Sequence, residues 1–103
     1  MEKLTKEFII KEIQKRKEEI QKKFHVKHLT LFGSYARDEQ TDISDIDILV
    51  EFENEFKDNI SNELDLQVYL YNIFEKDIGL CQKEEIKEEY KQYIFNNNLE
   101  SIY

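Results

Sequence analysis

The chain has 103 residues, 40% of them apolar and 37% charged, with a formal net charge of -8, no proline and two glycines. That length suits one small domain, residues 1–103, and is too short for two. No apolar run approaches the ~20 residues of a membrane helix and the amino terminus lacks a secretory apolar stretch, so a cytoplasmic protein with no membrane association is expected.

The charge is uneven. Residues 1–25 hold eight Lys/Arg and five Asp/Glu, a balance of +3, whereas residues 26–103 hold seven and eighteen, a balance of -11. Nucleic-acid binding depends on cations that neutralise phosphates, so the acidic body argues against stable nucleic-acid binding and favours a basic partner protein. The lone Cys81 excludes an internal disulfide, fits a reducing compartment and reads as a buried strand thiol rather than a nucleophile.

Residues 5–23 read as a helix, with Thr5 as N-cap and Ile9, Ile13, Ile20 and Phe24 near one face. Val26 to Phe32 is a short strand that runs into a Gly33-Ser34 turn, Tyr35 to Asp38 a helical turn, and Glu39 to Ser44 a polar loop. From Asp45 to Phe52 the residues alternate, with Ile46, Ile48, Val50 and Phe52 on one side and Asp45, Asp47, Leu49 and Glu51 on the other. After an acidic connector over 53–59, a helix over about 60–75 is expected to turn Leu64, Val68, Tyr71, Leu70 and Phe74 toward the sheet. Asp77 to Cys81 reads as a third strand. Lys83 to Asn96 reads as a last helix with Ile86, Tyr90, Tyr93 and Ile94 inward, ended by the Asn96-Asn97-Asn98 run, and Ser101 to Tyr103 as a small strand or a tail. An α/β (α+β) arrangement follows, a short mixed sheet of three to four strands covered by helices.

The chemistry concentrates between the first two strands. Gly33 can take backbone angles closed to other residues and lets a phosphate approach, while Ser34 offers a hydroxyl and an N–H. Ten residues later Asp45 and Asp47 share a strand face roughly 6.5–7 Å apart, a spacing at which two carboxylates can converge on Mg²⁺ together with substrate phosphates. Arg37 either reaches a phosphate from the turn or pairs with Asp38, Glu39 or Asp42. Tyr35 either shields the turn, stacks on a base or packs, and His25 and His28 read as structural or surface groups.

Gly33-Ser34-Tyr35-Ala36-Arg37, the ten-residue interval and Ser44-Asp45-Ile46-Asp47-Ile48-Leu49-Val50 resemble the signature of the DNA polymerase beta-like nucleotidyltransferase superfamily, in its minimal (MNT) branch. The resemblance covers nearly the whole chain and implies the small nucleotidyltransferase fold. Many members of that branch are antitoxins encoded beside a HEPN-domain RNase. They bind the toxin or transfer AMP from ATP to its tyrosines. Carried onto this chain, the resemblance implies that Gly33 and Ser34 hold the nucleoside triphosphate, that Asp45 and Asp47 ligate Mg²⁺, and that a HEPN toxin is the partner, in a homo- or hetero-oligomer.

One departure stands out. The family commonly carries a third carboxylate in the third strand, and Gly79 occupies the matching position here. Asp77 shares that strand face but lies about 6.5 Å away, so it serves as a ligand only if the strand shifts or bulges. Two alternatives to AMP transfer therefore stand beside it: a weak or inactive nucleotidyltransferase-fold antitoxin that neutralises its toxin by binding, and a transferase acting on a small molecule.

Overall fold

The computed structural model describes residues 4–96 and 99–103. Two short helices open the chain, α1 (Lys6–Lys15) and α2 (Lys17–Phe24). The Thr5 hydroxyl caps α1 by accepting the Phe8 N–H at 3.2 Å. The single helix expected over 5–23 is broken at Arg16, which leaves the helical region with φ -106° and ψ 12°. The apolar face survives the break, because Ile9, Ile13, Ile20 and Phe24 are all buried. α2 ends at His25 in the left-handed conformation, φ 58°, where the imidazole stacks on Phe56 at 3.6 Å. His25 is thus a structural residue.

β1 (Val26–Phe32) leads directly into α3 (Gly33–Ala36), two residues earlier than the helical turn expected from Tyr35 to Asp38, and β2 (Ile46–Phe52) follows the polar loop. α4 (Ile60–Phe74) crosses over to β3 (Ile78–Gln82), and α5 (Glu88–Asn96) and β4 (Glu100–Ser101) complete the chain. The last helix begins later than expected, since Lys83–Glu85 form a 3-10 turn and Ile86 is extended. Ile86 is buried even so, whereas Tyr90 is exposed, which removes it from the expected inward set. The Tyr93 side chain and the Asn97-Asn98 part of the expected helix stop lie outside the described residues.

The four strands form one mixed sheet in the order β3-β2-β1-β4. β1 pairs antiparallel with β2 and β4, and β2 pairs parallel with β3 through the α4 crossover. Leu29, Leu31, Ile46, Ile48 and Val50 enter one core with Ile9, Ile13, Ile20, Leu66 and Leu70 from the helices. Burial of this apolar surface is the main stabilising term. Side-chain amides lock the layers together: Asn62 Nδ2 donates to Phe24 O at 2.7 Å, and Gln67 Nε2 to Ile78 O at 2.7 Å. No helix among the described residues is long and apolar enough to cross a membrane.

α4 departs from expectation in its facing. Leu66, Leu70 and Phe74 are buried, but Leu64, Val68 and Tyr71 are exposed at 53%, 57% and 47%, in line with Ile60 at 70%. The expected stripe was therefore right for Leu70 and Phe74 and wrong for the other three.

Candidate functional site

The turn and the carboxylates meet at the ends of β1, β2 and β3. Gly33 opens α3 with φ 76°, a conformation that L side chains rarely adopt. It lets the chain reverse from β1 into α3, with the Arg37 N–H donating to Gly33 O at 3.2 Å and the Glu39 N–H to Ser34 O at 2.9 Å. Tyr35 is 2% exposed, so it packs in the core and does not stack on a ligand.

The core-facing alternation of β2 turns Asp47 to the outer face of the sheet, half-buried, while Asp45 stands exposed just before the strand. The strand register pairs Asp47 with Phe32 on β1 and with Gly79 on β3. A Cβ at Gly33 would run into Asp47 Oδ2, and one at Gly79 would stand 2.6 Å from Asp47 Oδ1. The only two glycines of the chain thus clear the space on both sides of one carboxylate.

Burial raises the Asp47 pKa above its ordinary value; the Asp45 charge adds to the rise and the Arg37 charge opposes it. Arg37 also pairs with Glu39, Nε to Oε2 at 3.5 Å, which is one of the ion pairs expected for it. Two carboxylates that repel each other, one of them partly desolvated, fit a divalent cation that takes its other ligands from a triphosphate. Among the described residues no group of three or more His, Cys, Asp or Glu gathers as a metal site.

The strand shift that would bring in Asp77 does not occur. Ile46 and Ile78 are in register, the Ile46 N–H donates to Asp77 O at 3.0 Å, and the Asp77 side chain is exposed just outside β3. Gly79 is therefore the β3 residue beside Asp47, as the motif alignment implied. Cys81 follows on the same face and is half-buried where full burial was expected, because it lies on the outer face of the sheet; burial first, and Glu85 and Glu63 after it, raise its thiol pKa.

The sequence did not disclose a cavity of about 360 Å³ on the outer face, lined among others by His28, Thr30, Leu49, Glu51, Ser101 and Tyr103. Its only sequence signal was the alternation in β1 and β2. Without the register, nothing said that His28 and Thr30 stand beside Glu51 and Leu49.

A family model described as nucleotidyltransferase domain matches residues 9–101. A Methanocaldococcus jannaschii protein provisionally named a protein adenylyltransferase is 45% identical over 82 residues, 79% of this chain and 82% of its own length. The protein adenylyltransferase MntA of Thermococcus cleftensis is 33% identical over 84 residues, 82% of this chain and 83% of its own. A chain in the solved complex of tri-AMPylated Shewanella oneidensis HEPN toxin with MNT antitoxin shares the fold, with a TM-score of 0.66 at 18% identity over 96% of this chain and 72% of that one.

Proposed function

This chain belongs to the nucleotidyltransferase domain family, and we propose from that premise that it is an antitoxin that transfers AMP from ATP to a tyrosine hydroxyl of a HEPN-domain toxin. The observation that carries the reading is the clearance of space around Asp47 by Gly33 and Gly79. A half-buried carboxylate whose ionisation is opposed by its surroundings is costly unless something positive meets it. The names of the two relatives and the composition of the solved complex support AMP transfer to a protein acceptor.

Asp45 and Asp47 would hold Mg²⁺, which supplies charge neutralisation for the triphosphate and the departing pyrophosphate. Gly33 and Ser34 present backbone N–H groups and a hydroxyl to the phosphates at the β1–α3 turn, and Arg37 adds a guanidinium beside them. The acceptor oxygen forms a new bond to the α-phosphorus, the bond from that phosphorus to pyrophosphate breaks with its electron pair, and the phenolic proton leaves to solvent. A phenol, with an ordinary pKa near ~10, requires less activation than an aliphatic alcohol. That matters in a site with two carboxylates. The reducing, cytoplasmic setting expected from the lone Cys81 belongs to the same proposal.

Gly79 favours a second reading. Beside Asp47 stands a residue with no side chain, where the family resemblance implies a carboxylate, and an antitoxin that only occupies its toxin needs none. One experiment separates the two. The chain, ATP and Mg²⁺ are incubated with the toxin encoded beside it, and the toxin's intact mass is measured. AMP transfer predicts an AMP-sized increment that disappears with Asp47→Asn. A stoichiometric complex that silences the toxin with no increment supports binding alone.

A further inference from the structure

α4 turns an apolar row into solvent. Ile60, Leu64, Val68 and Tyr71 recur at intervals of four, four and three residues, so at about 3.6 residues per turn they stand within roughly 80° of one another on a ridge about 16 Å long. Their exposures run from 47% to 70%. Seven large apolar side chains are exposed among the described residues; four form this row, and a fifth, Phe8, packs edge-to-face on Phe74 in the last turn of the same helix. We infer that this row is a docking surface for one helix of the partner toxin, an amphipathic helix whose apolar stripe is flanked by lysine and arginine. The inference rests on the toxin as partner, and not on the transfer of AMP.

Nothing inside the molecule calls for these residues. The sheet takes Leu66, Leu70 and Phe74, and Ile, Val and Tyr are weaker helix formers than the Lys or Glu that an exposed helix face ordinarily carries. Exposed apolar residues scattered singly are ordinary, but a contiguous row over three turns marks an interaction site. A single convex ridge fits the groove between the side-chain rows of a second helix, packed with its axis about 8–10 Å away.

The charge around the row selects the occupant. From Asp58 to Glu75 the chain holds four carboxylates and no Lys or Arg. Asp58 precedes the row, Asp65 lies three residues before Val68, and Glu75 closes the helix; all three are exposed, and among the described residues none of them forms an ion pair. The cations that bracket the helix are turned elsewhere, Lys57 to Glu84 at 4.0 Å and Lys76 to the Asp42 carbonyl. Lysine and arginine beside an incoming apolar stripe therefore meet carboxylates with no partner of their own, which fixes the register of the contact and speeds encounter. A second copy of this chain does not fit. Two-fold pairing of α4 with itself sets its carboxylates against one another, and the basic first segment of another copy offers Phe8 as its one exposed large apolar residue among the described residues. α4 packs on the sheet face opposite Asp47, so the docking row and the candidate nucleotide site belong to different layers.

Titration calorimetry with the toxin encoded beside this chain tests the assignment. A double variant, Leu64→Ser with Val68→Ser, should weaken the complex by about tenfold or more while ATP affinity and melting temperature keep their wild-type values. Asp65→Lys should independently weaken it. Full toxin affinity in both folded variants would overturn the assignment. A pair of helical peptides with the same leucine stripe, one flanked by lysine and the other by glutamate, reads the surface without the toxin. The lysine peptide alone should give saturable shifts of the Leu64 and Val68 methyl NMR signals; equal binding of the glutamate peptide would overturn the charge argument. Sedimentation that shows a dimer of this chain, lost in the double variant, would give the row to a second copy and overturn the proposal. Failure here is distinct from failure of the toxin reading. No toxin complex, with lysine-peptide shifts at Leu64 and Val68, keeps the surface for a basic helix and removes the toxin as its source. A toxin complex of full affinity in both variants keeps the toxin and removes the surface, and absence of both complex and shifts removes both.

Discussion

At the scale of single residues, Asp47 organises the candidate site because neighbouring side chains have been removed from around it. Gly33 and Gly79 leave its two oxygens room that any Cβ would take. Its carboxyl is also held above the ordinary pKa, by burial and then by Asp45, against the pull of Arg37. In the unfolded chain these influences vanish, so the folded state binds the proton more tightly than the unfolded one. The sign follows: this residue favours folding below the unfolded carboxylate range and loses that contribution as pH rises through the raised folded value. Asp47→Asn should therefore raise the melting temperature near neutral pH in the presence of a chelator. The gain should shrink to nothing as the pH is lowered into the carboxylate range. Thermal denaturation across that range checks it, and a lowered melting temperature at neutral pH would contradict the assignment of Asp47 as a destabilising charge. Added Mg²⁺ should stabilise the wild type and leave Asp47→Asn unmoved.

At the scale of elements, α4 shows where local pattern stops being decisive. Ile60, Leu64, Leu66, Val68, Leu70, Tyr71, Ile73 and Phe74 are spread around much of its circumference, so two i,i+4 series compete, 60/64/68 and 66/70/74. Only the second faces the sheet. Polar residues make the choice: Gln67 reaches the Ile78 carbonyl on β3 and Asn62 the Phe24 carbonyl on α2, which turns Leu66 and Leu70 inward. Rotation by half a turn would strand both amides in solvent and both carbonyls unpaired. Leu70→Ala should then cost about 2–5 kcal/mol, as a fully buried leucine truncated in a packed core. Leu64→Ser should stay within about 0.5 kcal/mol. Urea denaturation of the two variants compares them directly, and equal losses would return α4 to the facing expected from its sequence. By contrast β2 was legible residue by residue. A strand has only two faces, and four aliphatic and aromatic residues at alternate positions leave a single choice for Asp47.

At the scale of the whole molecule, the formal charge of -8 comes from a body with a balance of -11 and a first segment with +3. Such a field steers a basic partner into contact and is screened beyond about 10 Å at 0.1 M salt. Association with the proposed toxin should therefore slow as salt is raised, with the loss in the association rate and little change in dissociation; stopped-flow mixing measures both. A salt-independent association rate would mean that the acidic surface plays no part in encounter. Neighbours in the chain decide the capped start of the first helix, the β1–Gly33 turn, the alternation that turns Asp47 away from the core, and the family to which these motifs belong. Only the tertiary structure decided the facing of α4, the fixed register that leaves Asp77 outside the site, and the cavity built from His28, Thr30, Leu49 and Ser101. Periodicity and turn chemistry act over a few residues and are written locally. Which strand lies beside which, and in what register, is settled by packing and hydrogen bonds between segments far apart in the chain.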